Sequence, residues 1–487
     1  MKTRHVETPT SVCRAGLGTA DITAPVGIYH RFWGAASHDQ AAGIHRPLRA
    51  SAFVFEPAVE SDDVAERQTL IALDHCLFRP PEMREFRAAL CSRLQVASES
   101  VTIVFSHTHS AAYVARNRSH LPGGEFIGAY LDELPERVSA AVQQAVDNLE
   151  TVTLTYRTAA CQMGHHRDCH DEEADRYVCG FNPDVDLDLP VHTVRLSAAD
   201  GASRGTIVSY PCHPTTLAWG NTLISPDYVG ALRETVETAT SAPCMFLQAP
   251  CGDIGPRFGF VGDTEVADAN GRQVGYAALQ ALERMPTPGH DYHYNGPVIS
   301  GATIGEWEYR PHDKTRAQQT CEFVLQQATV PLQYRPELPT VVQVEEQMAT
   351  LSVDESAARE RGDESEAARI RALVERLRRR LEVLRPLPEG ELPYPVAIWK
   401  LGDAIWVAVD GEPYSELSFE LARRFPHVPL IIMPLSDGAV AGYLPVSEAY
   451  DKPIYQSDIA IVARGSLESV IDAIAAEVQR LTRADDQ

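Results

Sequence analysis

Two histidines one residue apart, His107 and His109, lie in Ser106-His107-Thr108-His109-Ser110, directly after the apolar run VTIVFS. In open α/β sheets the carboxyl ends of strands are where functional side chains collect. In extended chain the period-two alternation sends both imidazoles to one side, so two nitrogen donors converge on one cavity. Taken alone, His-x-His also fits two ordinary histidines. Other strand ends add to it: GTIVSYPC runs into His213, AIWVAVDG runs into Glu412, and LIIMP leads on to Tyr443 within GYLP. Glu416 is the nearest rival to Glu412. Imidazole and carboxylate are the ligand types of a catalytic zinc, which keeps one position open for water. The expectation is a zinc-dependent hydrolase with two histidines and a glutamate at its centre.

The elements that must hold these residues follow from hydrophobic periodicity. RASAFVFE and QTLIALD read as strands, PPEMREFRAALCSRL as a helix with Phe86, Leu90 and Leu94 on one face, and VTIVFS as the next strand. A helical stripe runs through Ile127, Leu131, Leu134, Val138, Val142, Ala145 and Leu149. VTLTYRT, VHTVRLSA, GTIVSY, CMFLQ, AIWKL, AIWVAVD and LIIMP are further strands, with helices near 227–239, 266–283, 413–424 and 466–482. This predicts an α/β fold with mixed central sheets flanked by helices. Residues 341–385, rich in Glu, Arg, Ala and Leu, read as an inserted helical hairpin broken at ERGDES and exposed to solvent. Its basic run RLRRRLEVLR reads as a solvated face rather than a docking face.

Composition limits the partners. The chain has 487 residues, with 43 Lys and Arg against 67 Asp and Glu, a formal charge of −24. Such a charge repels phosphate backbones and anionic lipid, so nucleic acid is not expected as a partner. No apolar stretch reaches transmembrane length and the first residues have no signal-peptide core, so stable membrane insertion is not expected. Ten cysteines without a CxxC pair read as reduced thiols, which suits a cytoplasmic protein. Whether the chain forms a homo-oligomer is not legible in the sequence.

Ordered blocks along the chain resemble the neutral (alkaline, non-lysosomal) ceramidases. They are Ala15-Gly16-Leu17-Gly18-Thr19-Ala20-Asp21-Ile22-Thr23, then Gly43-Ile44-His45-Arg46-Pro47-Leu48-Arg49-Ala50, the HTHS segment, FNPD at 181–184, CHPTTL at 212–217, ISPDY at 224–228 and GDIGP at 252–256. The resemblance implies a single large catalytic domain over 1–487, read as a member without the C-terminal β-sandwich domain of longer relatives. It implies a zinc ion (Zn2+) held by His107, His213, Glu412 and Tyr443. His109 would stabilise an oxyanion or move a proton to the leaving amine. Arg167 would face the substrate, and Tyr450 and Tyr455 would line the same pocket. Asp74 and Asp253, at sheet edges, would orient a ligand imidazole or act as cap and turn residues.

The family's serine in the GDIGP block is replaced here by Gly255, which removes a serine nucleophile and leaves attack by metal-activated water. The expected activity is hydrolysis of a linear amide in a small-molecule N-acyl substrate smaller and more polar than ceramide. The alternatives are a zinc esterase or lactonase, and a non-catalytic metal-binding scaffold. Cys161, His165, His166, Cys169, His170 and Cys179 form a second group of zinc-type ligands whose spacing fits no regular arrangement. That segment is read as a structural zinc site or as a loop carrying Arg167 toward the active site.

Overall fold

Branched and aromatic residues at alternate positions build two sheets that share one core. The structure, a computed structural model, describes residues 4–58 and 67–483. In chain order the larger sheet comprises β1 (Thr10–Asp21), β2 (Arg49–Glu56), β3 (Gln68–Leu73), β4 (Val101–Phe105), β5 (Glu150–Ala160), β6 (Pro190–Ala198), β7 (Ser203–Tyr210) and β8 (Cys244–Gln248). Its spatial order is β8-β7-β6-β5-β1-β2-β3-β4. The pairs β3/β4 and β7/β8 are parallel and the rest antiparallel. The smaller sheet holds β9 (Phe323–Gln333), β10 (Glu391–Leu401), β11 (Ala404–Val409) and β12 (Leu430–Met433), with β11/β12 parallel.

Alternation decides which way each side chain faces. On β11, Ala404, Trp406 and Ala408 join Phe53, Phe55, Leu154 and Met245 of the large sheet in a core between the sheets. Ile405, Val407 and Val409 point the other way, onto α7 (Glu416–Arg424) and α8 (Ser466–Arg483). The outer face of the large sheet is covered by α1 (Pro80–Leu94) and α2 (Ile127–Asp147) at one end and by α3 (Tyr228–Thr240) and α4 (Thr264–Glu283) at the other. The layers therefore run helix, sheet, sheet, helix, as the mixed α/β expectation requires.

Strand β1, at the middle of the large sheet, has no counterpart in the hydrophobic pattern. Its sequence TSVCRAGLGTAD is small and polar because α2 presses directly on its backbone. A Cβ on Gly16 or Gly18 would lie 2.1 Å from the carbonyl oxygen of Ala145 or Ala141. The long antiparallel hairpin of His290–Ser300 and Ala302–Pro311 was likewise not anticipated.

Helices α5 (Val341–Glu360) and α6 (Glu364–Leu384) form the expected hairpin, broken at Arg361–Asp363. Thr340 and Gln343 close a reciprocal capping box on α5, and Asp363 caps α6. The expectation of a solvated basic face holds at Arg376 and Arg385, which are more than half exposed, and fails at Arg379 and Arg380. Ile370, Val374, Glu375, Leu381 and Leu384 of α6 are buried. Glu375 and Glu382 pair with the fully buried Arg118 at 2.8 and 2.9 Å. Arg379 and Arg380 turn inward because they find acceptors there: Arg379 bonds Glu375 at 3.0 Å and the carbonyl of Arg31 at 3.2 Å, and Arg380 bonds the carbonyl of Ile459. Among the described residues, no helix is long and apolar enough to cross a membrane.

Candidate metal centre

Three strand ends converge at one edge of the two sheets. β4 stops at Phe105, and its backbone turns sharply: His107 takes φ +68°, a left-handed conformation that costs a non-glycine residue about 1–3 kcal/mol. The His-x-His pair is thus presented by a turn and not by the alternation of an extended strand. The two rings still meet, with Nε2 atoms 3.4 Å apart. β7 delivers His213, whose ring centroid is 4.8 Å from that of His107. β11 delivers Glu412, whose Oε2 is 3.3 Å from His107 Nε2 and 3.1 Å from His213 Nε2.

The histidine tautomers follow from their outer nitrogens. His107 Nδ1 lies 2.8 Å from the carbonyl of Cys76, and His213 Nδ1 lies 2.7 Å from the carbonyl of Cys251. A carbonyl can only accept, so each Nδ1 carries the proton and each Nε2 can present a lone pair inward. Burial, reinforced by the Arg167 guanidinium, lowers His213 to about 3, so its ring is neutral. Burial alone would raise Glu412, but His107 and His213 outweigh it and hold the carboxyl well below the usual carboxylate range. At His107 burial is opposed by Cys76 and Glu412, which raise the imidazole well above its ordinary value. A cation entering among the three groups would displace that proton. Two neutral imidazoles and a carboxylate, with donor atoms within 4.8 Å of one another, fit a zinc ion in ligand type and reach. Cys76, His107 and His109 form a second combination within the same reach.

Glu412 and Tyr443 stand side by side because Glu412–Pro413 pairs in parallel with Tyr443–Leu444. The buried Asp410 holds both segments, accepting from the backbone N–H of Gly411 and of Ala441, each at 2.8 Å. The Tyr443 hydroxyl is 3.2 Å from His213 Nε2 and accepts from Arg167 Nη2 at 3.0 Å. Glu416, by contrast, opens α7 and faces solvent.

His107, His109, Glu412, Tyr443 and Tyr455 all line one cavity of about 640 Å³. Phe32 and Trp33 form its aromatic wall, their ring centroids 5.9 and 5.5 Å from that of His109. Burial, with His107 and His213 adding to it, lowers His109 well below its ordinary value, so this ring is neutral as well. Two expectations need correction. Arg167 does not face the cavity. It is 3% exposed, held by the carbonyl of Gly252 at 2.6 Å, and its hydrogen bond to the site is made to the Tyr443 hydroxyl. Tyr450 does not line the cavity either, since its hydroxyl donates to the carbonyl of Val462 at 2.9 Å. The six Cys and His residues of 161–179 do not gather within coordination reach among the described residues. Instead, Gly164–His166 pairs with Ile254–Pro256 and delivers Arg167 to Tyr443.

Residues 13–270, more than half of the chain, match the family model for neutral/alkaline non-lysosomal ceramidase, N-terminal. The chain belongs to the neutral/alkaline non-lysosomal ceramidase family. It is 23% identical over 254 residues to the neutral ceramidase of Pseudomonas aeruginosa, an alignment covering 50% of this chain and 37% of that protein. The crystal structure of neutral ceramidase from Pseudomonas aeruginosa superposes with a TM-score of 0.62 at 16% identity, over 96% of this chain and 74% of that one. A ceramidase structure complexed with C2 gives the same TM-score at 14% identity, with the same coverage of both chains.

The ceramidase blocks whose purpose the sequence leaves blank are the site's supports. In ISPDY, the carbonyl of Ser225 accepts from Thr108 Oγ1 at 2.8 Å and its N–H donates to the carbonyl of Ser110 at 2.8 Å. Asp227 caps α3 and accepts from the N–H of Leu217 at 2.8 Å, so one motif ties HTHS to CHPTTL. In GDIGP, Gly252 packs on the Glu412 turn, where a Cβ would come within 2.5 Å of the Glu412 carbonyl oxygen. Asp253 accepts from the N–H and Oγ of Ser415 at 2.6 and 2.7 Å, so it fixes the glutamate's turn and not an imidazole. Asp74 is paired with Arg233 at 2.6 Å and supports the fold. Asn182 of FNPD donates to the carbonyl of Asp168 at 2.6 Å, bracing the Arg167 segment.

Proposed function

We propose that this protein is a zinc-dependent hydrolase of linear N-acyl amide bonds, ceramidase-like in its framework but acting on a smaller, more polar substrate than ceramide. The observation that carries this reading is the convergence of His107, His213 and Glu412 at the mouth of three strands, beside a cavity large enough for a small organic molecule. Zinc, when bound, supplies hydroxide near neutral pH by acidifying a water molecule, and it polarises the scissile carbonyl.

The chain's own residues do the rest. Phe32 and Trp33 offer an apolar surface for an acyl group next to His109. His109, neutral and placed against His107, can hydrogen-bond the oxygen on which charge develops or hand a proton to the departing amine. Tyr443, held by Arg167, orients a hydroxyl toward the same focus, and Tyr455 brings a second one to the cavity. Gly255 carries no nucleophile, so no acyl-enzyme forms there. The cavity also bears several guanidinium groups, a poor match for the two hydrocarbon chains of a sphingolipid.

The test is hydrolysis by zinc-replete protein of matched amide and ester analogues of one acyl group. Amide cleavage that disappears in His107→Ala supports the proposal. Cleavage of the ester alone makes the protein an esterase, and no turnover across a broad N-acyl panel sinks the catalytic reading in favour of a metal-binding scaffold.

A further inference from the structure

The cavity that holds the zinc-type ligands has a second chemical face, supplied by α6 and the segments packed against it. The arginines that line it or stand behind it fall into two sets, Arg118 being fully buried behind the wall. Arg118 and Arg379 are matched by Glu375 and Glu382, with bonds of 2.8 to 3.0 Å, and Arg79 lies 3.3 Å from Glu382. These groups fasten α6 to the rest of the molecule and are occupied in doing so.

Arg335, Arg376 and Arg380 line the same cavity and are not matched in this way. Arg380 donates one N–H to the carbonyl of Ile459 and pairs with no carboxylate among the described residues. Arg376 is half-exposed and meets Asp458 at 3.3 Å. Arg335 donates to the carbonyl of Ser457, while its buried Nε makes no hydrogen bond and has Glu337, 71% exposed, 3.5 Å away as an ion-pair partner. Burial lowers the pKa of Arg380, and the adjacent Arg335 and Arg376 lower it further; Asp458, which also lines the cavity, works the other way without reversing the shift, so three cations share one half-exposed carboxylate besides the more exposed Glu337. Like charges at such range repel, so the cluster is costly unless an anion neutralises it. A chain of net charge −24 does not gather guanidinium groups in a cavity by general composition.

We propose that the substrate carries an oxyanion, a carboxylate or a phosphate, which Arg335, Arg376 and Arg380 hold while the amide lies at His107, His213 and Glu412. This inference rests on the N-acyl hydrolase reading and narrows it to anionic N-acyl compounds. Guanidinium is suited to the role because its planar fork matches both carboxylate and phosphate oxygens. Tyr455, its ring 5.9 Å from that of Tyr443, lines the cavity together with His107, Glu412 and the three arginines.

The experiment compares three probes on the zinc-replete full chain: N-hexanoylglycine, its neutral isostere N-hexanoylglycinamide, and N-hexanoyl-O-phosphoethanolamine. Affinity is read by calorimetry where a compound is not turned over and as KM where it is, so failure of the amidase reading leaves the anion test intact. At least one anionic probe is expected to bind about tenfold or more tightly than the neutral one. Which anion gains more identifies the oxyanion. Arg380→Gln and the half-exposed Arg376→Gln are each expected to cut that preference about fivefold or more, leaving the neutral probe unchanged, and 0.5 M salt to weaken it. Equal affinity for all three probes, no binding of either anion at millimolar concentration, or a preference that survives both substitutions would overturn the proposal.

Discussion

At the scale of single residues, the candidate metal site is organised by main-chain acceptors. The carbonyls of Cys76 and Cys251 fix both histidine tautomers, while Glu412 supplies the negative charge. This separates the two ligand combinations that the geometry allows. If His107, His213 and Glu412 hold the ion, Glu412→Gln lowers zinc affinity by about 100-fold or more, with activity falling alongside, whereas Cys76→Ser keeps about one zinc per chain. Zinc content by mass spectrometry after dialysis distinguishes them, and retention in Glu412→Gln with loss in Cys76→Ser would move the site to Cys76, His107 and His109. Tyr443→Phe asks whether the phenol belongs to the coordination set. A drop of about tenfold in zinc affinity is expected of a ligand, and no change of a packing group.

At the scale of elements, the loops that meet at the site are locked by short polar bridges, and one of them titrates. Asp227, in the ISPDY turn that joins the two histidine loops, has its carboxyl raised by burial to about 6; the N–H groups of Leu217 and Tyr228 work in the opposite direction. The sign follows from proton counting. The folded chain keeps this proton to a higher pH than the unfolded chain, whose carboxyl titrates near 3.8. Its contribution to stability is therefore full below the unfolded value and is lost as pH climbs from there through about 6. Denaturant unfolding at closely spaced pH values should show stability falling across that window in the wild type, and a flatter profile in Asp227→Asn. An unchanged slope would mean that the N–H groups already keep Asp227 ionised.

Helix α6 makes a second case at this scale. Glu375→Gln removes the carboxylate shared by Arg118 and Arg379, leaving a fully buried guanidinium short of charge. A loss of about 3–5 kcal/mol is expected from chemical denaturation, since breaking a buried pair from one side strands its partner. A change under about 1 kcal/mol would mean that Glu382 alone suffices.

These elements also show what one sequence makes legible. β4, β7 and β11 are short apolar runs, and a candidate ligand follows each within a few residues, so the convergence of His107, His213 and Glu412 is readable where a motif abuts a strand end. Most of the supports are not readable, because Ser225, Asp227 and Asp410 act through backbone groups elsewhere in the chain; Asp253 stands out by its place at a sheet edge, but its partner Ser415 does not. Strand β1 hides because Gly16 and Gly18 are chosen for contact with α2 and leave no alternation. The basic face of α6 misleads in part for a related reason: composition does not record that Glu375 on the same helix and the carbonyls of Arg31 and Ile459 on other segments draw Arg379 and Arg380 inward.

At the scale of the whole molecule, the candidate ligands come from both sheets. His107 and His213 extend from β4 and β7 of the large sheet, whereas Glu412 extends from β11 of the small one. Between the sheets Trp406 is 1% exposed, lies 5.8 Å from Phe53 in a stacked pair, and donates to the Tyr156 hydroxyl at 3.3 Å. The geometry of the site is thus set by the packing of two layers, and an ion bound there joins them. A ligand that binds only the folded state adds stability in proportion to the logarithm of its concentration over Kd. Zinc should therefore raise the Tm of the wild type, and not that of Glu412→Gln, where one layer has lost its hold. Trp406→Ala, which empties the inter-sheet core, should cost about 3–5 kcal/mol and also weaken zinc binding, although the substitution touches no ligand. Saturating zinc should then restore part of the lost Tm. If Trp406→Ala lowered stability yet left zinc affinity at its wild-type value, the two layers would have to be held in register at the site by its local bridges alone, through Asp253 and Ser415, and not by the core between the sheets.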